Sequence, residues 1–313
     1  MNLKQLEYFV SVAELGSFSK AAVVLDIAQP ALSRQVRALE TELRETLLLR
    51  NGRGVSLTEP GRRLYEHSLT ILRQVAQARD DLGASRDEPV GRITVGLPPS
   101  MGRQLTLGLV EGFQRRMPRA RLAIVEGLSA HISEWLGSGR VDVGLLYNPE
   151  AQPGLEIRPL LHERLCLVQR APGPGPTPAT ATSQAPVPLH ALAGLPLVLP
   201  ERQHMVRRLL DAQATLAGLT LNIVWEVSSI AAILDLVSAG YGHAVLPAGG
   251  VAVSGRSDEL RVRPIVQPEL RSVLCLATSA HQRSTPLMRQ TTRLLSDLLT
   301  ALPQGTAAQS LPG

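Results

Sequence analysis

The chain has 313 residues, 44% hydrophobic and 3% aromatic, with a formal charge of +5 and two cysteines. That length implies roughly two or three domains, and the apolar content is too high for a disordered chain. Cys166 and Cys275 alone build neither a disulfide framework nor a four-thiolate zinc site, so a reducing compartment is expected.

Lys4 and Lys20 are the only lysines, which excludes a Walker A phosphate loop and a Schiff-base lysine in any later domain. No GxSxG, no HExxH and no GxGxxG after a strand occurs. No catalytic residue, cofactor or metal is therefore expected. The opening MNLKQLEYFV sets Lys4 and Glu7 where a signal peptide needs an unbroken apolar core. The most apolar later stretch, 230–253, is interrupted by Asp235, His243 and Pro247. A cytoplasmic protein with no membrane partner is expected.

Residues 1–58 are predicted to form short helices ending in a hairpin. Leu3, Leu6, Phe9, Val10 and Ala13 recur at helical spacing. A second short helix, with Phe18, Ala21, Ala22 and Leu25 apolar, leads to a turn at Asp26 and Ile27. In the next helix Leu32, Val36, Leu39 and Leu43 form one narrow stripe, while Pro30, Ser33, Arg34 and Arg37 group on the far side. Two helices joined this tightly, the second with small polar and arginine side chains outward, make a helix-turn-helix.

The outward chemistry suits duplex DNA. Gln29 and Arg34 are able to form bidentate bonds to base edges, Pro30 and Ala31 to lie against a thymine methyl, and Ser33 and Arg37 to reach phosphate or base. Ser17, Ser19 and Lys20, around the preceding helix, complete the candidate contacts on this side. Two short strands around Asn51-Gly52 carry Arg50 and Arg53 where a hairpin wing tracks the phosphate backbone, and Arg62 and Arg63 extend that footprint. Residues 1–63 hold nine Lys or Arg against seven Asp or Glu, so the basic character is a local patch. Arginines on a wet helix face equally suit a plain solvated helix; the order of helix, short helix, turn, outward-polar helix and basic hairpin is what points to DNA.

A long polar helix is predicted from residue 58 to about 86, with Thr58 as its N-cap and Pro60 in its first turn. Leu64, Ser68, Ile71, Val75, Ala78 and Leu82 follow alternating four- and three-residue spacing, a heptad seam for a second copy of the chain. The same stripe equally suits packing on the chain's own later domain.

From Arg92 onward β-branched runs alternate with amphipathic helices, the signature of βαβ units and a largely parallel sheet. Strands are predicted at 92–97, 121–125, 141–146, 163–169, 196–199, 221–227, 243–246 and 272–277, with helices at about 100–117, 129–138, 202–217, 229–239 and 284–302. The segment 171–188 is dense in proline, alanine and threonine and reads as a flexible insertion, and residues 304–313 read as a disordered tail.

In an open α/β sheet a guest sits beyond the carboxyl ends of the strands, at helix N-termini. Ser100 with Met101, Ser129, and Ser229 with Ile230 occupy such positions; each serine equally suits a plain N-cap. Tyr147 either closes the cleft or packs between subdomains. Helix N-termini favour anions, which makes a small organic acid the default guest. His131, His162, His204 and His243 lie singly on different elements without metal-ligand spacing, and Cys166 and Cys275 sit in apolar strand runs as inert thiols.

The run LKQLEYFVSVAELGSFSKAAVVLDIAQPALSRQVRALETEL, followed by LLLRNGRGVSLTEPG, resembles the N-terminal domain of the LysR-type transcriptional regulators, and the later SGRVDVGLL and VSAGYGHAVLP stretches are similar to that family's effector-binding domain. The resemblance covers nearly the whole chain except 171–188 and the tail. It implies a winged helix-turn-helix (1–58), a linker and dimerisation helix (59–88) and a periplasmic-binding-protein-like effector domain (89–303). Within that domain it implies one subdomain of 91–161 with 271–302 and a second of 162–270. It further implies a tetramer, RNA polymerase as a partner, and effector contacts from Pro200 and Glu201, although an acid at the mouth disfavours a strongly anionic guest. LPPS, HISEWLGSGRVDVGLLY and LLHERLCLV resemble the family's nitrogen-assimilation branch, some of whose members act without a small effector. The competing reading is a small-molecule-binding or enzymatic α/β protein with an accessory helical domain.

Overall fold

The computed structural model describes residues 1–51, 54–83, 89–172, 185–252, 254–256, 258–280, 282, 284–302 and 308–310. The chain divides into two units, Met1–Asp87 with Ser138–Arg140, and Glu88–Gly137 with Val141–Gly313.

The first unit runs α1 (Leu3–Leu15), α2 (Phe18–Val24), α3 (Gln29–Leu43), β1 (Leu48–Asn51), β2 (Gly54–Leu57) and α4 (Glu59–Gly83). Asn2 and Gln5 form a reciprocal capping box that starts α1, and Gly16 ends it in the left-handed region at φ 59°. Asp26, at φ 52°, turns the chain between α2 and α3. Leu32, Val36 and Leu39 are fully buried with Phe9, Val12, Ala21 and Leu47, so one stripe of α3 closes the small core. The strands of the hairpin pair Leu48 with Leu57 and Asn51 with Gly54.

Two tight approaches join the hairpin to α4. Thr58 caps the helix, its Oγ1 accepting from the Gly61 N–H at 2.9 Å and donating to the Thr46 carbonyl at 2.6 Å. Gly61 passes so close to the hairpin that a Cβ there would lie 2.0 Å from the Leu47 carbonyl oxygen. The first half of α4 packs on its own unit: Leu64, Tyr65, Leu69 and Leu72 border the core, and the Tyr65 hydroxyl donates to Glu14. Leu64, the first position of the heptad spacing, thus lies partly against its own unit. Ile71 and Val75 are half-buried, and the side chain of Leu82 lies outside the described residues.

The second unit comprises β3 (Gly91–Leu97), α5 (Pro99–Arg116), β4 (Ala120–Glu126), α6 (Ser129–Gly137), β5 (Val143–Tyr147), β6 (Leu155–Arg170), β7 (Val187–Pro188), β8 (Leu197–Leu199), α7 (Met205–Leu216), β9 (Ile223–Glu226), α8 (Ile230–Ser238), β10 (Ala244–Pro247), α9 (Ala248–Ala252), β11 (Leu260–Val266), β12 (Arg271–Ser279), α10 (Pro286–Ala301) and β13 (Ala308–Ser310). The main sheet has the order β4-β3-β5-β12-β6-β11-β7, with β10 and β13 also on β6; β8 and β9 form a separate parallel pair.

The sheet is mixed, a correction to the largely parallel expectation. β3 runs parallel to β4 and β5, but β12 is antiparallel to β5 and β6, and β10 and β11 are antiparallel to β6. The cause is β6, a 16-residue strand whose first half pairs with β12 and whose second half pairs with β10 and β11. Its outer half reads as loop in the sequence because Pro159 and alternating charges break the apolar run. β11 escapes the apolar pattern for the same reason, having Arg261, Arg263 and Pro264 in seven residues. Two segments expected to lack structure contribute strands: Val187–Pro188 pairs with β11, and Ala308–Ser310 pairs with β6. Residues 173–184 of the expected insertion lie outside the described residues. Asp142 is buried and accepts the Thr94 N–H at 2.7 Å and the Gln282 amide at 3.0 Å, tying β3 to β5 at the heart of the SGRVDVGLL stretch.

Among the described residues no helix is long and apolar enough to cross a membrane, and no cluster of His, Cys, Asp and Glu is placed to hold a metal.

Gly61→Ala is expected to lower the stability of the first unit by about 1–3 kcal/mol through forced displacement of Leu47. Gly250→Ala, where an added Cβ meets nothing within 4 Å, is expected to be neutral or to stabilise by up to about 1 kcal/mol through helix propensity. Thermal or urea denaturation of the two variants checks the contrast.

Candidate functional site

The outward face of α3 is defined by what its inward face buries. Opposite Leu32, Val36 and Leu39 stand Gln29, Pro30, Arg34 and Arg37, all exposed, with Ala31 and Ser33 half-buried beside them. No described residue hydrogen-bonds or ion-pairs with the guanidinium of Arg34 or Arg37. Ala28, the N-cap, offers no side-chain acceptor; its carbonyl takes the Ala31 and Leu32 N–H groups at 2.9 and 3.1 Å, and Pro30 has none to leave open. Ser17 accepts the Lys20 N–H as the cap of α2, while Ser19 and Lys20 are exposed.

Arg50 links the hairpin to this face. Its guanidinium donates to Ser33 Oγ at 3.1 Å and lies 4.2 Å above the Phe18 ring, so one side chain touches both helices of the motif. Glu40, which sequence reasoning passed over, fixes the other end: its Oε1 accepts the N–H groups of Leu47 at 2.8 Å and Leu48 at 3.2 Å. The hairpin is thus tied to α3 at two points. Arg53 lies outside the described residues.

In the second unit a small chamber is lined by Ser100, Met101, Gln104, Tyr147, Glu163, His204, Met205, Val206, Ile230, Leu246, Pro247 and Gly250. It gathers Ser100, Met101, Tyr147 and Ile230 of the expected guest contacts. Four others do not line it. Ser129 turns its hydroxyl to the Tyr147 N–H at 2.9 Å, Ser229 caps α8, and Glu201 is exposed. Pro200 gives its carbonyl to the buried Arg207 at 3.2 Å, and Arg207 is itself held by Asp211 and Glu226.

The polar centre of the chamber is Glu163, which the sequence reading did not single out; it follows His162 in a run that reads as ordinary strand. Its side chain is 6% exposed, and the Tyr147 hydroxyl donates to it at 2.6 Å. Burial pushes the Glu163 carboxyl above the ordinary carboxylate range, partly offset by the Tyr147 hydrogen bond. Burial and the facing carboxylate drive the Tyr147 phenol well above its usual value. His204 accepts the Val206 N–H on Nδ1 at 3.2 Å, and burial lowers its pKa, so the ring is neutral at pH 7. No lysine or arginine lines the chamber.

Comparison with known proteins agrees with this architecture. Residues 3–62 match the bacterial regulatory helix-turn-helix protein family lysR, and residues 86–300 match the LysR substrate binding domain. The chain belongs to the LysR family. It is similar to the nitrogen assimilation regulatory protein nac of Klebsiella aerogenes, 33% identical over 96% of this chain and 95% of that one. The fold is shared with a full-length OxyR variant of Pseudomonas aeruginosa, TM-score 0.72 at 24% identity, covering 100% of this chain and 99% of that one. It is shared likewise with full-length CbnR complexed with its target DNA, TM-score 0.69 at 24% identity, covering 95% of this chain and 100% of that one. The protein is a DNA-binding transcriptional regulator with an effector-binding domain; the enzymatic alternative falls.

Within this LysR-family chain the cysteines are not set up as reactive thiols. Cys166 on β6 is 1% exposed, and burial pushes its thiol up to about 11; burial also raises Cys275 on β12. Neither thiol is expected to react with Ellman's reagent at pH 7 until the chain is unfolded, and rapid modification of the native protein would contradict this placement. A second expectation concerns Glu163. Because its folded pKa is raised, its contribution to stability is fully present in acid and is lost as pH rises through the folded value. Glu163→Gln is therefore expected to match or exceed the wild-type Tm at pH 7, with any advantage shrinking as pH falls toward about 4. Thermal denaturation across that range checks it.

Proposed function

We propose that the protein reads double-stranded DNA with the outward face of α3 and couples that binding to a small effector held in the chamber. Gln29, Pro30, Ala31, Ser33, Arg34 and Arg37 enter the major groove, with Gln29 and Arg34 on base edges and Pro30 and Ala31 against thymine methyls. Ser17, Ser19, Lys20, Arg50 and Arg53 contact the phosphate backbone and set the register. The observation that carries this reading is the pair Arg34 and Arg37, exposed and unengaged on the face opposite a fully buried stripe. A helix that was merely solvated would not need a hairpin bolted beside it by Arg50 and Glu40.

Two copies pair through α4, with Ile71, Val75 and Leu82 on the shared seam and Leu64 divided between seam and core. This places two reading helices on half-sites about one helical turn of DNA apart. Two such dimers form a tetramer. Ser100, Met101, Tyr147 and Ile230 contact the effector, whose binding changes the closure of the second unit and so the spacing of the half-sites. The complex acts in the cytoplasm and engages RNA polymerase.

Gel-shift titration against salt tests the reading. Specific promoter binding is expected to weaken steeply as salt rises. Arg34→Ala is expected to cost about 1–3 kcal/mol of specific binding and to relax sequence preference, whereas Lys20→Ala weakens all sequences alike and flattens the salt slope. Unchanged affinity and preference after Arg34→Ala would remove α3 as the reading element.

A further inference from the structure

We propose that the guest of the chamber is a small, mainly apolar molecule bearing an N–H donor, an amine or a primary amide, which it presents to Glu163, and that organic anions are excluded. The inference deepens the effector reading above and rests on it.

The direction of the hydrogen bonds carries the argument. The Tyr147 hydroxyl donates to Glu163 Oε2 at 2.6 Å, so that donor is spent on the carboxylate. Glu163 Oε1 receives no hydrogen bond from any described residue, although the side chain is more than nine-tenths buried and lines the chamber. Oε1 is not sealed from solvent but opens on the chamber as a free acceptor, and a guest that excludes water there has to supply a donor in its place. Most of the surrounding wall is Met101, Met205, Val206, Ile230, Leu246 and Pro247, which suits an apolar body of modest size.

Charge points the same way. The chamber holds no cation to pair with an anionic guest, since His204 is neutral there. The first turns of α5, α7 and α8 border the cavity, and their positive ends favour one negative group. Glu163 is that group already. A second carboxylate would face it across a poorly solvated space, where like charges repel strongly. The neutral His204 offers a ring N–H on the side away from its cap, a place for an amide carbonyl on the same guest.

Thermal shift of the full chain at constant ionic strength, with butylamine, butyramide and butyrate and their cyclohexyl counterparts as probes, tests the class. The amines and amides are expected to raise the Tm, with an affinity at least about tenfold above that of the matched carboxylate. Glu163→Gln is expected to cost the amines about tenfold or more and to narrow or reverse the preference, while the control Glu201→Gln changes none of them. Gly250→Leu, which fills open space at the wall, is expected to abolish every shift. Carboxylates that stabilise best and ignore Glu163→Gln would overturn the donor class and leave the effector chamber standing. Probes that bind Gly250→Leu as they bind the wild type, or no probe shifting the wild type, would overturn both.

Discussion

Burial of Leu32, Val36 and Leu39 against α1 and the hairpin is the constraint on which the DNA-facing half of the molecule depends. A helix of 3.6 residues per turn that commits one stripe to a core has only its opposite face left for recognition. The small core, built from Phe9, Val12, Ala21 and Leu47 around that stripe, orients α3 with little freedom because close-packed side chains resist rotation of the helix about its axis. Arg34 and Arg37 point outward as a consequence, and the hairpin is held beside them by groups at both ends of α3, Ser33 near the start and Glu40 toward the finish.

In the effector-binding unit the comparable constraint is the length of β6. One strand serving two sets of partners gives both halves of the domain a common backbone, with β12 on the first half and β10 and β11 on the second. Glu163 sits near the change of partners, facing Tyr147 from the end of β5. A charged residue there is thermodynamically awkward, since burial disfavours its ionised form and only one oxygen is satisfied within the described chain. Such unsatisfied polar groups are tolerated where function requires them, and the rest of the fold supplies the compensating stability.

The thiols show how environment decides chemistry among related folds. The chain shares its architecture with OxyR, yet its cysteines lie within strands of the central sheet, shielded from solvent. At Cys166 burial outweighs the pull of Arg164 toward a thiolate, and at Cys275 burial alone sets the direction, so both act as packing residues. Thiol reactivity therefore does not follow from a shared fold, because it depends on the surroundings of side chains at particular positions.

The amino-acid sequence by itself determined the helix-turn-helix, the capped linker helix and the βαβ texture, because these depend on periodicity and turn chemistry within a few residues. Thr58, Pro60 and the Leu32–Val36–Leu39 stripe needed no tertiary context to be read. Sequence spacing also placed Ser100, Met101, Tyr147 and Ile230 at the ends of strands and starts of helices, which are local features, and the chamber gathers these four. Only the tertiary structure decided that Ser129 and Ser229 are occupied by backbone amides, that Pro200 is claimed by Arg207, and that Leu64 belongs partly to its own core. It alone revealed Glu163, Gln104 and His204 as chamber residues, and the long path of β6 that makes the sheet mixed. Those outcomes depend on contacts between residues far apart in the chain, such as β6 with β12 or Tyr147 with Glu163, and hydrophobic periodicity carries no record of which distant partner satisfies a given polar group.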